Sequence, residues 1–107
     1  MLGGVNENKF QSQLIRELKG LFDGCIITKL DSGHKQGIPD LLILFGSRWA
    51  TLEVKKEKGS SHRPNQDWYV NKMNSMSFSS FIYPENKNEI LQNLILFFNG
   101  KERTDVR

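Results

Sequence analysis

One cysteine, Cys25, occurs in the 107 residues, so no intrachain disulfide can form and the fold must rest on its apolar core. Its setting, "CIITKL", is that of a small core residue and not of a nucleophile. No apolar run exceeds the five residues of 41–45, far short of a membrane span. "MLGGVNENK" lacks the apolar segment of a signal peptide, so a soluble, cytoplasmic protein is expected. The two histidines, His34 and His62, lie too far apart in sequence for H-x₃-H zinc spacing. There is no Walker pattern and no nucleophilic Ser or Cys motif. Internal repeats and long linkers are also missing.

The chain is long enough for one domain, expected to span 1–107 with a core at about 7–98 and a flexible tail at 99–107. Hydrophobic residues make up 37%, enough for one modest core. Lys and Arg number 15 against 12 Asp and Glu, a net charge of +3 that permits a polyanionic partner without requiring one.

Periodicity places a helix over 7–22, with Phe10, Leu14, Leu18, Leu21 and Phe22 on one side. "CIITKL" (25–30), "IPDLLILF" (38–45) and "RWATLEVKK" (48–56) read as strands. The continuous apolar run of the second predicts burial on both faces. A second helix is expected over about 65–76, with Tyr69, Val70, Met73 and Met76 on one face. A short strand (78–83) and a last helix (86–98) follow. The order α-β-β-β-α-β-α implies an α/β or α+β mixed sheet flanked by helices. Short links between the first three strands favour antiparallel pairs, and the helix before the fourth permits a parallel one.

Asp40 in "GIPDLLILF" stands at the mouth of the most apolar strand. It either caps a turn or supplies a fixed negative charge to a site. Along the third strand, Glu53 and Lys55 share a face, about 7 Å apart. If the Gly46-Ser47 turn pairs the two strands, Asp40 approaches them. Converging carboxylates need a positive charge between them, and a hard cation with oxygen ligands supplies it. Mg²⁺ or Mn²⁺ held by Asp40, Glu53, a backbone carbonyl and waters would suit phosphodiester hydrolysis, with Lys55 steadying the attacking water. Glu-x-Lys alone carries no information, since four occur in the chain. Only Glu53-Val54-Lys55 lies in a strand and follows the single Pro-Asp. The bland alternative is a surface ion pair on an edge strand.

Helical geometry sets Glu7 and Gln11 within the apolar stripe of the first helix and Glu17 at its edge. Each could join the site, and Glu7 could equally serve as a favourable charge at a helix N-terminus. Gln66 opens the second helix on its inward side, where an amide could hold a water, the lysine or a phosphate. Lys35, Lys56, Lys58, His62 and Arg63, in loops beside these strands, are candidate DNA phosphate contacts.

"GIPDLLILFGSRWATLEVKK", a basic Gly-Ser loop and "PNQDWYVNKM" together resemble the PD-(D/E)xK nuclease superfamily. The closest likeness is to its virus-type replication-repair nuclease (VRR-NUC) group, known from phages as stand-alone domains. The resemblance covers about Glu7 to Tyr83. It implies a restriction-endonuclease-like core and Mg²⁺- or Mn²⁺-dependent DNA cleavage. Asp40 matches the motif aspartate, Glu53 the second acid, Lys55 the lysine, Glu7 the helix-one acid and Gln66 the helix-two glutamine. Val54 would lend its carbonyl to the metal. Related Holliday-junction resolvases place the helix-one acid nearer the aspartate, so Glu17 is a rival. Arg48 and Trp49 fall outside the pattern. The resemblance further implies an endonuclease selective for branched DNA, homodimeric, in phage replication, recombination or repair. Trp68 and the Phe97–Phe98 end are candidate interface residues. The other reading is a DNA-binding or packaging accessory module with a nuclease-like fold and no catalysis.

Overall fold

The structure is a computed structural model, and it describes residues 6–100. Most of the expected tail, 101–107, lies outside them. Phe10, Leu14 and Leu18, four apart, give α1 (Glu7–Leu21) a continuous buried stripe. Asn6 caps it: its side chain accepts hydrogen bonds from the N–H groups of Asn8 (2.8 Å) and Lys9 (3.2 Å). The helix stops before Gly24, whose φ of +85° suits glycine.

Three antiparallel strands follow: β1 (Ile26–Lys29), β2 (Leu41–Phe45) and β3 (Arg48–Val54). Helix α2 (Gln66–Met76) then crosses over, so β4 (Phe78–Ile82) pairs parallel to β3. Helix α3 (Lys87–Phe98) completes the expected order. The sheet runs β1-β2-β3-β4. Leu41, Ile43, Ala50, Leu52, Val54, Phe78 and Ile82 share one face and form a single core with α1 and α3. Phe22, Phe45 and Phe98 close one end of it, with ring centroids 4.9–5.5 Å apart.

The opposite face is covered by α2 over β3 and β4. There the structure departs from expectation. Burial of β2 on both faces does not occur: Leu42 is half-buried and Leu44 is 41% exposed. Among the described residues α2 packs on β3 and β4 and no helix covers the outer face of β1 and β2, so the apolar run of β2 is apolar on an open side too. Met76, assigned to the inward face of α2, is likewise exposed, as is Leu21 of α1. The β2 strand also starts at Leu41 rather than Ile38, because Ile38, Pro39 and Asp40 form the bend that delivers Asp40.

That bend is locked from both sides. Gly37 has φ of +93°, and a Cβ there would sit 2.6 Å from Asn65 Cβ and 2.9 Å from the Pro64 carbonyl oxygen. Asn65 is itself left-handed, with φ of +72°, a conformation that Asn tolerates better than most residues. The loop before Asp40 and the loop before Gln66 therefore meet backbone to backbone. Gly37→Ala is expected to cost at least about 1–3 kcal/mol, from positive φ and steric overlap together. Thermal or urea unfolding reads it, whereas Asn65→Gly, which relaxes the same contact, should unfold like wild type.

Candidate active site

Where the end of β3 meets the start of α2, three polar side chains gather that most chains would leave in water. Glu53 (3% exposed), Lys55 and Gln66 are all buried. Such groups persist only with partners, and their partners are one another. The Gln66 amide Nε2 donates to Glu53 Oε2 at 2.9 Å. Its Oε1 accepts from Lys55 Nζ at 2.8 Å and from the Arg63 N–H at 2.8 Å. Lys55 Nζ also donates to the Ser61 carbonyl at 3.0 Å and lies 3.8 Å from Glu53 Oε2. Gln66 can play both roles because a carboxamide donates at one end and accepts at the other. A carboxylate there would face Glu53 with like charge.

Asp40 is held at the mouth of β2 by two hydrogen bonds. Its backbone carbonyl accepts from the Leu30 N–H at 2.8 Å. Its Oδ2 accepts from the Val54 N–H at 2.9 Å, so it ties the start of β2 to the end of β3. Val54 therefore meets the site through its amide. In an antiparallel ladder a residue turns both N–H and C=O to the same neighbour, which directs the Val54 carbonyl to the Asp40 edge as well. Pro39, fully buried, stiffens the approach.

Glu53 is the electrostatic anomaly. Burial pushes its carboxyl up to about 8, and the Asp40 charge pushes the same way. Glu7 adds to the rise, and Lys55 opposes it. Among the described residues no donor reaches the buried Glu53 Oε1, and the Asp40 carboxyl is its neighbour. An acceptor without a donor, beside a second carboxylate, is what a cation relieves. The donor set, hard oxygens at the end of a rigid strand, fits a divalent ion such as Mg²⁺. The set is lean: among the described residues no three His, Cys, Asp or Glu side chains gather into one metal-binding group. Asp40 and Glu53 are the two carboxylates that would hold the ion, and Glu7 lines the same cavity.

A cavity of about 580 Å³ opens over these groups, and Glu7, Asp40, Glu53, Lys55, Arg63 and Gln66 all line it. Ser32, Gly33, Gln36, Gly37 and Ile38 form its other wall. That wall escaped sequence reading, since only the fold of the 31–37 loop over the strand ends brings it in. Asp31 folds this loop, accepting at Oδ1 from the Gly33 N–H at 2.8 Å. The remaining candidates scatter. Gln11 is half-buried and is not among the cavity's lining residues. Glu17 lies on a different cavity, between α1 and α3, where its Oε1 meets Lys87 Nζ at 2.7 Å. The structure thus separates Glu17 from the site and leaves Glu7 as the helix-one acid on the cavity. Because that ion pair is exposed, Glu17→Ala should shift stability by no more than about 1 kcal/mol. It should leave any metal affinity, measured by calorimetry, unchanged. Lys35, Lys56, Lys58 and Arg63 are exposed. His62 is not a free loop cation: its ring stacks on Phe81 at 4.1 Å, with Nδ1 2.8 Å from Asp67 Oδ1.

No family model and no curated protein matches the chain. Two solved structures do. One, described as "VRR_NUC domain", aligns over 80% of this chain and 94% of its own, with a TM-score of 0.65 and 20% identity. The other, "VRR_NUC domain protein", aligns over 87% and 90%, with a TM-score of 0.67 and 20% identity. The chain has the VRR_NUC fold. Its mixed four-stranded sheet and three helices follow the expected order. In this VRR_NUC fold the end of β3 and the start of α2 meet above Asp40, which is why the buried polar cluster forms there.

Proposed function

We propose that the protein is a divalent-metal-dependent DNA endonuclease. The observation that carries this reading is the buried Glu53 carboxylate, whose Oε1 no donor among the described residues reaches, set beside Asp40 and a lysine held rigid by Gln66. Asp40 and Glu53 would hold Mg²⁺ or Mn²⁺, with the Val54 carbonyl and Glu7 completing the shell. When bound, the ion would polarise a phosphoryl oxygen and offset the charge that develops on it. The side chains supply the rest. Gln66 and the Ser61 carbonyl take two of the three Lys55 N–H donors, leaving the third to orient a water against the phosphorus. Asp40, tied to the Val54 amide, keeps its carboxylate from swinging away. Gln66 pre-sets lysine and glutamate together, so little reorganisation is needed on reaction.

The test is cleavage of plasmid and four-way-junction DNA with Mg²⁺ or Mn²⁺. Cutting of the junction in preference to a linear duplex supports structure selectivity and a role in phage-type replication, recombination or repair. Salt-dependent binding with no cutting under any divalent ion would instead support the accessory-module reading.

Two symmetric sites would cut two strands, and the reading includes a homodimer. The open sheet face supports it. Ile26 (60% exposed) pairs with Leu44, and Leu44 pairs with Trp49, in one uncharged cross-strand row. Two such rows can meet without like-charge repulsion in a chain of net charge +3. Of the earlier candidates, Trp68 is exposed but Phe98 is buried in the core and Phe97 packs against it. Leu44→Lys is therefore expected to convert dimer to monomer in light scattering with little change in unfolding temperature. An unchanged mass would remove this face as the interface.

A further inference from the structure

A second cavity, of about 510 Å³, adjoins the first and shares Glu7, Lys55 and Arg63 with it. Its outer wall is the loop after β3, including Lys56, Glu57, Ser60 and Ser61. The proposed reaction uses none of these side chains. Three cations against two carboxylates line it, and Lys56 and Arg63 are exposed to any ligand that enters. Exposed Lys56 and Arg63 on one cavity offer the charged donors that a phosphate oxygen accepts. The loop is not loose: the Ser60 N–H donates to the Glu57 carbonyl at 3.2 Å, and Lys55 Nζ holds the Ser61 carbonyl at 3.0 Å. The lysine of the first cavity thus sets the wall of the second.

We infer that the second cavity is a subsite for the phosphate next to the scissile one on the same strand, bound by Lys56 and Arg63. The inference rests on the nuclease reading for its order of events, but the subsite stands on its own geometry. Because the two cavities share a wall, a ligand filling both must be a continuous polyanion and not a lone phosphate ester. The substrate would therefore be an internal stretch of strand, with a charged phosphate required on one side of the cut only.

The test uses the full chain and short single-stranded oligonucleotides in which one phosphate at a time is a neutral methylphosphonate. Binding is followed by fluorescence anisotropy without added metal, and cleavage separately with Mn²⁺. One neutral position should weaken wild-type binding roughly threefold to tenfold. The same position should matter less to Lys56→Ala and to Arg63→Ala, and Lys56→Ala should flatten the dependence of log affinity on log salt by about 1. Circular dichroism checks that both variants fold, and Lys56→Arg should restore the wild-type salt slope. Equal binding of all the oligonucleotides by wild type, or an undiminished effect in both variants, would overturn the subsite even if DNA is cut. Position-specific binding with no cleavage would keep the subsite and sink the nuclease reading.

Discussion

Lys55→Met is expected to reduce DNA cleavage about 10²–10³-fold, the loss typical of removing one preorganised donor from a reacting oxygen. Methionine keeps most of the buried stem and removes the ammonium. Gln66 Oε1 retains the Arg63 N–H as a donor, so the cluster is not left wholly unsatisfied. Asp40→Asn should be at least as severe in cleavage, with a second signature. It removes one of the two carboxylates that would hold the ion, so Mn²⁺ affinity by calorimetry should fall while Lys55→Met binds Mn²⁺ at least as well as wild type. Without the lysine charge the ion meets less repulsion, and the comparison is made above the Glu53 titration, where no proton competes for the site. Wild-type cleavage by Lys55→Met would place Lys55 outside the chemistry, and unchanged Mn²⁺ binding by Asp40→Asn would move the metal elsewhere.

The second large effect is on stability in the absence of metal. The Glu53 carboxyl is pushed from 4.5 to about 8, by burial first and by the Asp40 charge next. A folded-state value above the unfolded one means that the native chain holds its proton longer. The stability so contributed is fully present below pH 4.5 and is lost as pH rises through about 8. Even one unit of such a shift, about 1.4 kcal/mol, is a sizeable share of what holds a domain of this size together. Metal-free protein should therefore melt markedly lower at pH 8.5 than at pH 5.5. Glu53→Gln, neutral at both values and still able to accept from the Gln66 amide, should flatten the profile. Mn²⁺ should raise the melting temperature more at pH 8.5, where the carboxylate is already ionised, than at pH 5.5, where the ion must displace a proton. A wild-type profile without slope over this range, in chelator, would mean that Glu53 is charged and compensated without metal.

The elements were readable because their patterns were strong. Phe10, Leu14 and Leu18 at helical spacing defined α1, and the short Gly46-Ser47 link defined a hairpin. The gathering of Asp40, Glu53, Lys55 and Gln66 was readable for a similar reason: they sit at element ends, where small errors in boundary move a side chain little. The outer face of β2 was misread because an apolar run says that side chains avoid water without saying what covers them. Leu42 and Leu44 look the same in sequence whether a helix, a second copy or solvent lies above. Gln11 and Glu17 share the α1 stripe with Glu7, and periodicity alone could not rank them. Their separation depends on which end of the helix lies over the strand termini.

By itself the sequence determined the order of helices and strands, the core stripe of α1, and the residue types able to hold a hard cation. These follow from local periodicity and side-chain chemistry, which need no partner in space. Only the tertiary structure decided that the Gln66 amide bridges Glu53 and Lys55, that Glu7 and not Glu17 borders the cavity, and that the Asp40 carboxylate is fixed by the Val54 amide. Each of these joins residues from different elements across distances that the chain closes only on folding. The raised Glu53 carboxyl belongs with them. Its cause is burial beside a second negative charge, and neither burial nor that neighbour exists until β2, β3 and α2 meet.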